Sequence, residues 1–130
     1  MDFEFLEKED FSVWFTFGDA EVEIRYISRD KMREIGQQAK KFIYRNHQKL
    51  EEFDDLKADI LLGRAAVKDW RGFTMKGEPL PCTPENIDLL MTKWNAFARF
   101  VNDTCGDIDM LVKQEHEAAK KNSLNTSGQG

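Results

Sequence analysis

Cysteine and histidine, the side chains that most often act as nucleophiles, bases or soft metal ligands, number four in this sequence. They are Cys82, Cys105, His47 and His116. The cysteines have neither a CxxC spacing nor a nearby histidine, so they are predicted to be reduced thiols and not a zinc site or a disulfide. Each histidine lies in a charged stretch that is predicted to be helical, which is typical of a solvated surface residue.

No segment carries a common catalytic or cofactor-binding motif. The patterns GxGxxG, GxxxxGK[ST], HExxH and GxSxG are all absent from the sequence. Asp107 and Asp109 have the spacing that opens a calcium loop, but the required glycine and terminal glutamate are missing. The sequence therefore predicts no catalytic residue, no cofactor and no metal site, and a protein that is not an enzyme.

The sequence is instead rich in side chains that bind other proteins. It contains ten Phe, three Trp, two Tyr and five Met residues. Most are expected in the core, but a surplus of aromatic and methionine side chains on the surface could accommodate many apolar sequences. The candidate partner contacts are Trp14, Tyr44, Phe73 and Met75.

Composition and charge narrow the function classes. The 130 residues are 41% hydrophobic and 33% charged, which is typical of one globular domain. No apolar run approaches the roughly 20 residues that cross a bilayer, so no membrane association is expected. The net charge of −5 argues against bulk nucleic-acid binding. The acidic start Met1–Glu7 is unlike a signal peptide, and a cytoplasmic protein is expected.

Alternation of apolar and polar residues predicts an N-terminal β-hairpin. The alternation runs from Phe11 to Phe17 and resumes from Ala20 to Tyr26. Gly18 and Asp19 between the two runs suit a type II′ turn. Because a lone hairpin is marginal in water, this one is expected to pack against helices.

Helical periodicity marks most of the remaining chain. Ser28 offers an N-cap to a helix that is predicted to run from Arg29 to about Leu50. A second apolar series with the same period spans Phe53–Val67. A further helix is predicted after Thr83, an N-cap residue that is followed by Pro84 in the first turn.

The segments between and after these helices are predicted to be irregular. Lys68–Cys82 lacks periodicity and predicts an ordered loop, and Asn102–Gly106 predicts a turn before a short final helix. Residues 122–130 are too polar to fold and predict a disordered tail. The predicted fold class is α+β, with the N-terminal β-hairpin packed against about four α-helices in one domain, residues 1–121, and a disordered C-terminal tail.

Charge is distributed unevenly along the middle of the chain. Seven basic residues oppose two acidic ones between Arg29 and Lys49, and five acidic residues oppose one lysine between Glu51 and Asp59. Two solvated helix faces would explain this pattern. A bipolar monomer, whose basic face meets the acidic face of a neighbouring copy, would explain it as well.

Three short motifs follow one another between Lys68 and Asn86: Asp-Trp-x-Gly, Gly-x-Pro-Leu-Pro and Thr-x-Glu-Asn. Their residues are Asp69, Trp70, Gly72, Gly77, Pro79, Leu80, Pro81, Thr83, Pro84, Glu85 and Asn86. The segment resembles the tail assembly chaperones of long-tailed phages and prophages, although Cys82 departs from the apolar or aromatic residue expected there. We interpret the motif as a scaffold loop in which Trp70 anchors the chain in the core.

The resemblance implies a chaperone in the cytoplasm of the bacterial host that is not part of the mature virion. Such proteins bind the tape measure protein, prevent its aggregation and help to recruit tail tube subunits, and the bipolar charge would fit self-association along that client. The family often makes a longer product by a −1 ribosomal frameshift. Ala119-Lys120-Lys121 can be encoded by a slippery heptamer, so a longer form that contacts the tail tube protein is expected to arise near Ala119–Lys121.

Two other binding functions remain open at this point. A small acidic adaptor or regulator would bind one folded host or phage protein through its acidic surface. A nucleic-acid binder would use the basic stretch from Arg29 to Lys49, although no nucleic-acid partner is expected from the overall charge.

Overall fold

The computed structural model describes residues 11–110, which contain seven strands and four helices. The elements follow in the order β1 (Ser12–Phe17), β2 (Ala20–Arg25), α1 (Arg29–Gln38), β3 (Lys40–Arg45), β4 (Gln48–Phe53), α2 (Asp55–Ala66), β5 (Val67–Arg71), β6 (Thr74–Met75), β7 (Glu78–Pro79), α3 (Pro84–Lys93) and α4 (95–110). The predicted α+β class, with an N-terminal hairpin and four helices, is confirmed. The predicted tail and the last part of the final helix lie outside these residues.

The N-terminal hairpin forms as the alternation predicts. β1 and β2 pair antiparallel with Phe17 opposite Ala20. Gly18 has a φ of 62°, the left-handed value that the first position of a type II′ turn requires. Val22 and Ile24 are fully buried on the inner face of the hairpin. This face rests on the helices, as expected of a hairpin that is not stable alone.

A third strand occupies part of the predicted loop, so that part of the prediction is wrong. β5 pairs antiparallel with β2 and gives a three-stranded sheet in the order β1-β2-β5. The register shifts opposite Glu23 and Ile24, and Lys68 is the extra residue of this bulge. Because of the bulge, Val67 and Trp70 both face the core at a spacing of three. The alternation that normally marks a strand is therefore lost.

The predicted helix from Arg29 to Leu50 is also wrong beyond its first ten residues. α1 begins at the predicted cap, where the Ser28 hydroxyl accepts a hydrogen bond from the Lys31 N–H, but it ends at Gln38. β3 and β4 then form a second antiparallel hairpin. Its turn is Asn46-His47, with φ values of 49° and 61°, the left-handed pair of a type I′ turn.

The last two helices confirm one predicted start and correct one predicted turn. α3 begins at the Thr83 cap with Pro84 in its first turn. The predicted turn at Asn102–Gly106 is instead a part of α4. The Asn102 amide and the Thr104 hydroxyl donate to the carbonyls four residues earlier, so these polar side chains bond along the helix and do not interrupt it.

α2 and α3 pack so closely that only a glycine fits at their contact. A Cβ atom on Gly63 would lie 2.5 Å from Cγ of the buried Met91. Beside this contact the Arg64 guanidinium donates two hydrogen bonds to the Asp88 carboxylate. The tight crossing brings Ile87 and Met91 of α3 onto the core, where both are buried.

Replacing Gly63 with alanine tests this contact. Although alanine favours a helix, we expect Gly63→Ala to lower the free energy of unfolding by about 1–2 kcal/mol, because Met91 cannot move without disturbing the core. Gly36→Ala in α1 is the matched control, since its Cβ would meet no atom within 4 Å. It should stabilise the protein by about 0.5–1 kcal/mol. Urea unfolding measures both variants, and equal effects would contradict the close packing.

Candidate binding surfaces

Trp70 ties the sheet to the segment that precedes α3. Its side chain is 6% exposed, and its indole Nε1–H donates a 2.7 Å hydrogen bond to the carbonyl of Leu80. The ring packs edge-on against Phe73 and Phe97, with centroids 5.2 and 6.1 Å away. The backbone N–H of Trp70 also donates to the Asp69 carboxylate at 2.8 Å. The first motif thus fastens β5 to the core and to the loop.

The second motif closes a short hairpin made by β6 and β7. Thr74 lies opposite Pro79, and the Leu80 N–H donates to the Phe73 carbonyl at 2.8 Å. Gly72 precedes this hairpin with a φ of 93°, and a Cβ there would lie 3.1 Å from Cα of Ala20. Only glycine combines this backbone angle with so close an approach. Gly77 has the second of the two positive φ angles in the hairpin turn.

The third motif caps α3. The Thr83 hydroxyl accepts from the Asn86 N–H at 3.2 Å, and the Asn86 side chain donates to the carbonyl of Pro81 at 2.9 Å. Glu85 lies in the first turn, where its charge favours the positive end of the helix. The polar groups of Thr83 and Asn86 are therefore bonded within the third motif and to Pro81, the last residue of the second.

Four partly exposed aromatic rings form a continuous surface beside Trp70, and we call it the aromatic surface: Phe17, Phe73, Trp94 and Phe100. The centroid of Phe17 lies 4.7 Å from that of Phe100, 5.1 Å from that of Trp94 and 6.2 Å from that of Phe73. The buried ring of Phe97 lies beneath them, 6.0 Å from Phe17 and 5.9 Å from Phe73. The surface is held by the core and is therefore rigid.

Trp94 is the most exposed ring of the aromatic surface, at 42%. It lies between α3 and α4 with an extended backbone, φ −122° and ψ 95°. Its N–H donates to Leu90 of α3, and its carbonyl accepts from Phe97 and Ala98 of α4. Both helices thus fix the position of Trp94 while its ring faces outward. The alternation that ends at Phe17 and the helical spacing of Trp94 after Leu90 and Met91 both predict core positions, so the sequence pattern does not reveal this surface.

The four predicted partner contacts lie in four different places. Phe73 is half-buried within the aromatic surface. Trp14 is exposed on the outer face of the sheet, where the Arg71 guanidinium lies 4.0 Å above its ring. Met75 is exposed on the β6–β7 hairpin, and Tyr44 is 73% exposed on β3. The structure therefore does not bring the four residues together.

The β3–β4 hairpin, residues 40–53, carries a second group of exposed aromatic rings, and we call it the arm. Phe42, Tyr44 and Phe53 share one face of the arm, because residues paired across an antiparallel ladder point to the same side. All three are exposed, and the Lys49 ammonium lies 4.2 Å from the Phe42 centroid. Tyr44 thus belongs to a larger aromatic face.

The arm carries a part of the charge that is unevenly distributed along the sequence. Lys40 pairs with Glu51 at 3.1 Å and Lys41 with Glu52 at 3.7 Å across its two strands. Basic and acidic residues that are separated in the sequence are therefore neighbours in space. The expectation of two helix faces is therefore wrong for the charged residues between 40 and 52, which β3 and β4 carry. The remaining charged residues of the two runs do lie on or beside helices: Arg29, Lys31 and Arg33 in α1, and Asp54, Asp55, Lys57 and Asp59 at α2.

The two thiols are held in their protonated form. Burial, aided by the carboxylates of Asp69 and Asp109, raises the pKa of Cys82 and of Cys105 to about 11. Thiols of this kind are poor nucleophiles near neutral pH. Between residues 11 and 110, no three His, Cys, Asp or Glu side chains are grouped so that they could hold a metal ion. No helix in the same span is long and apolar enough to cross a bilayer.

Replacing Trp70 with phenylalanine tests the anchor. The variant leaves the Leu80 carbonyl without its donor and a gap beside Phe97, so we expect Trp70→Phe to lower the free energy of unfolding by about 2–3 kcal/mol. Trp94→Phe is the matched control and should change it by less than about 1 kcal/mol, since the Trp94 ring is at the surface. Chemical denaturation followed by circular dichroism compares the two, and similar losses would contradict the anchoring role.

Comparison with known proteins assigns the chain to a family. No curated protein and no solved structure matches it. A sequence model of a prophage family, described as the YdaY prophage protein, matches residues 20–122. That span includes β2, the arm, Trp70 and the whole of the three-part motif. The prophage association expected from the motif is thereby confirmed, and the chain belongs to the YdaY prophage protein family.

Proposed function

We propose that this prophage protein is a tail assembly chaperone, which binds the tape measure protein, prevents its aggregation and helps to recruit tail tube subunits. Two findings support the proposal. The chain belongs to a prophage family, and its Asp69–Asn86 segment carries the three motifs in the order found in tail assembly chaperones. A chaperone of this kind must present an apolar surface that it does not use for its own folding.

The aromatic surface is the observation that carries the proposal. The ring of Phe17 contacts the other three rings, and the surface is fixed from below by Phe97 and Trp70. Trp94 is 42% exposed, and the other three rings are partly exposed. Aromatic rings bury a large area at a small entropic cost and are enriched at sites that dominate protein binding. Phe73 and Trp94 are the residues that we assign to client contact.

The chemistry of this surface suits a helical client. An amphipathic helix presents an apolar stripe, and flat rings can pack on such a stripe without requiring a particular sequence. Each bound copy carries a net charge of −5, so coated client molecules would repel one another and would not aggregate. Binding of this type needs no catalytic group.

Replacing Trp94 tests the client site. We expect that the Trp94→Ala protein must be about ten times more concentrated than the unchanged protein to prevent aggregation of the tape measure protein of the same prophage. Loss of one central aromatic contact has an effect of this size. Trp94→Phe keeps a ring at the position and should retain most of the activity. Trp14→Ala removes an exposed tryptophan outside the aromatic surface and should act like the unchanged protein. Light scattering during refolding of the client measures all four proteins.

The stoichiometry of the same mixture separates this function from the adaptor. A chaperone coats a long client with many copies, so the mass of the soluble complex should exceed one copy per tape measure chain. A fixed one-to-one complex, or equal protection by the Trp94→Ala protein, would contradict the proposal. The one-to-one result would favour the small acidic adaptor.

A longer form that recruits the tail tube protein is part of the proposal. We expect translation of the gene with its downstream DNA to give a minor longer product by a −1 frameshift near Ala119–Lys121, residues outside the described part of the chain. An N-terminal epitope tag detects both products on a blot. Silent recoding of the Lys120 and Lys121 codons should abolish the longer band, and the same recoding at Lys40 and Lys41 is the control. A single band before recoding would contradict the frameshift.

A further inference from the structure

The arm stands apart from the rest of the fold. Among residues 11–110, β3 and β4 pair only with each other, and both outer edges of the arm are open. Phe42 and Tyr44 are exposed on one face, and Leu50 is exposed on the other. A two-stranded hairpin of this kind is marginal in water unless a further surface covers it. Its side chains therefore indicate a contact that one copy of the chain does not make.

The tip of the arm is basic. The arm has four Lys and Arg residues against two Glu, and both glutamates are paired with Lys40 and Lys41. Arg45 and Lys49, on either side of the turn, make no ion pair with any residue in the described span. The rest of the chain has 15 basic and 22 acidic residues, so the charge of the arm is opposite in sign to that of the remainder.

A groove with the complementary character lies between α1, α2 and α4. It has a volume of about 460 Å³, and Met32, Ile35 and Leu62 supply apolar wall. Two carboxylates, those of Asp55 and Asp59, lie on the same lining. Asp55 pairs with no cation within residues 11–110. Asp59 accepts a 3.3 Å hydrogen bond from the Asn102 amide. The groove thus combines apolar surface with uncompensated negative charge.

The arm cannot fill the groove of its own chain. Phe53, at the base of the arm, lines the groove, and β4 runs from there to the turn. Five residue steps of about 3.3 Å each carry the tip about 17 Å away from this base. The hydrogen bonds between β3 and β4 keep both strands extended. The side chains at the tip therefore lie outside the groove of their own chain.

We infer that the arm of one copy docks in the groove of a second copy, with Tyr44 against the apolar wall and Lys49, its partner across the two strands, beside Asp55 and Asp59. The two contacting surfaces are different, so the contact is heterologous and leaves a free arm at one end and a free groove at the other. Such a contact adds copies head to tail. The inference uses no residue of the aromatic surface and holds whether or not the client is a tape measure protein.

Two variants that each block one side of the contact test the inference. Tyr44→Ala combined with Lys49→Glu removes the ring and reverses the charge on the same face of the arm. Gly36→Leu places a side chain in the groove, and it should fold because a Cβ at Gly36 meets no atom within 4 Å. Lys93→Glu repeats the charge reversal of the arm variant at the exposed end of α3 and serves as the control.

Sedimentation velocity and light scattering over a range of concentrations measure the mass. The unchanged protein and Lys93→Glu should exceed the dimer mass as concentration rises and should dissociate in 0.5 M NaCl, about the salt at which exposed charges are screened. Each blocked variant alone should stay at the monomer mass of 15.2 kDa. An equimolar mixture of the two should give a dimer of one copy each, because one unblocked arm and one unblocked groove remain.

Several results would overturn the inference. They are a monomer at all concentrations for the unchanged protein, growth that stops at the dimer, and a mixture of the blocked variants that stays monomeric. Retention of a single-stranded oligonucleotide by the monomeric protein, lost in the arm variant, would instead assign the basic tip to nucleic acid.

Discussion

The fold of residues 11–110 is organised around the hydrogen bond from the Trp70 indole to the Leu80 carbonyl. Trp70 lies opposite Val22 in the sheet, rests on Phe97 of α4, and through this bond holds the chain just before α3. One side chain thus joins the sheet, the loop and the helix pair. Because Phe73 packs on the same indole, the position of the aromatic surface depends on this bond as well.

The two proposed binding surfaces differ in how the fold supports them. The aromatic surface is backed by buried rings and is fixed by elements that are distant in sequence. Within the described residues, the two strands of the arm pair with each other alone, and ion pairs cross between them. A rigid surface loses little conformational entropy when a client binds, so more of the contact energy remains as affinity. A projecting hairpin suits a partner whose shape and charge are constant, such as another copy of the chain.

The sequence predicted best those features that depend on neighbouring residues. The first hairpin followed from alternation and from Gly18, and the start of α3 followed from Thr83 and Pro84, because turns and caps are local chemistry. β5 was missed because the bulge at Lys68 places Val67 and Trp70 on one face. This bulge depends on the pairing with β2, which is distant in the sequence. The arm was missed because Phe42 and Ile43 follow Ala39 at helical spacing, and its turn contains no glycine. Of the aromatic surface only Phe73 was predicted. Trp94 continues the helical spacing of apolar residues in the sequence, but α3 ends at Lys93 and the backbone of Trp94 is extended.

The base of the arm has a consequence for how the chain can vary. The Asp54 N–H donates a 2.8 Å hydrogen bond to the carbonyl of Ala39, which joins the end of α1 directly to the start of α2. Residues 40–53 therefore form an insertion whose two ends meet at this hydrogen bond. Loop-closure entropy depends only weakly on the length of such an insertion. Insertions or deletions of paired residues in the arm would change its reach while leaving the junction and the packed core intact. The length of the arm can therefore change without a change in the fold of the core.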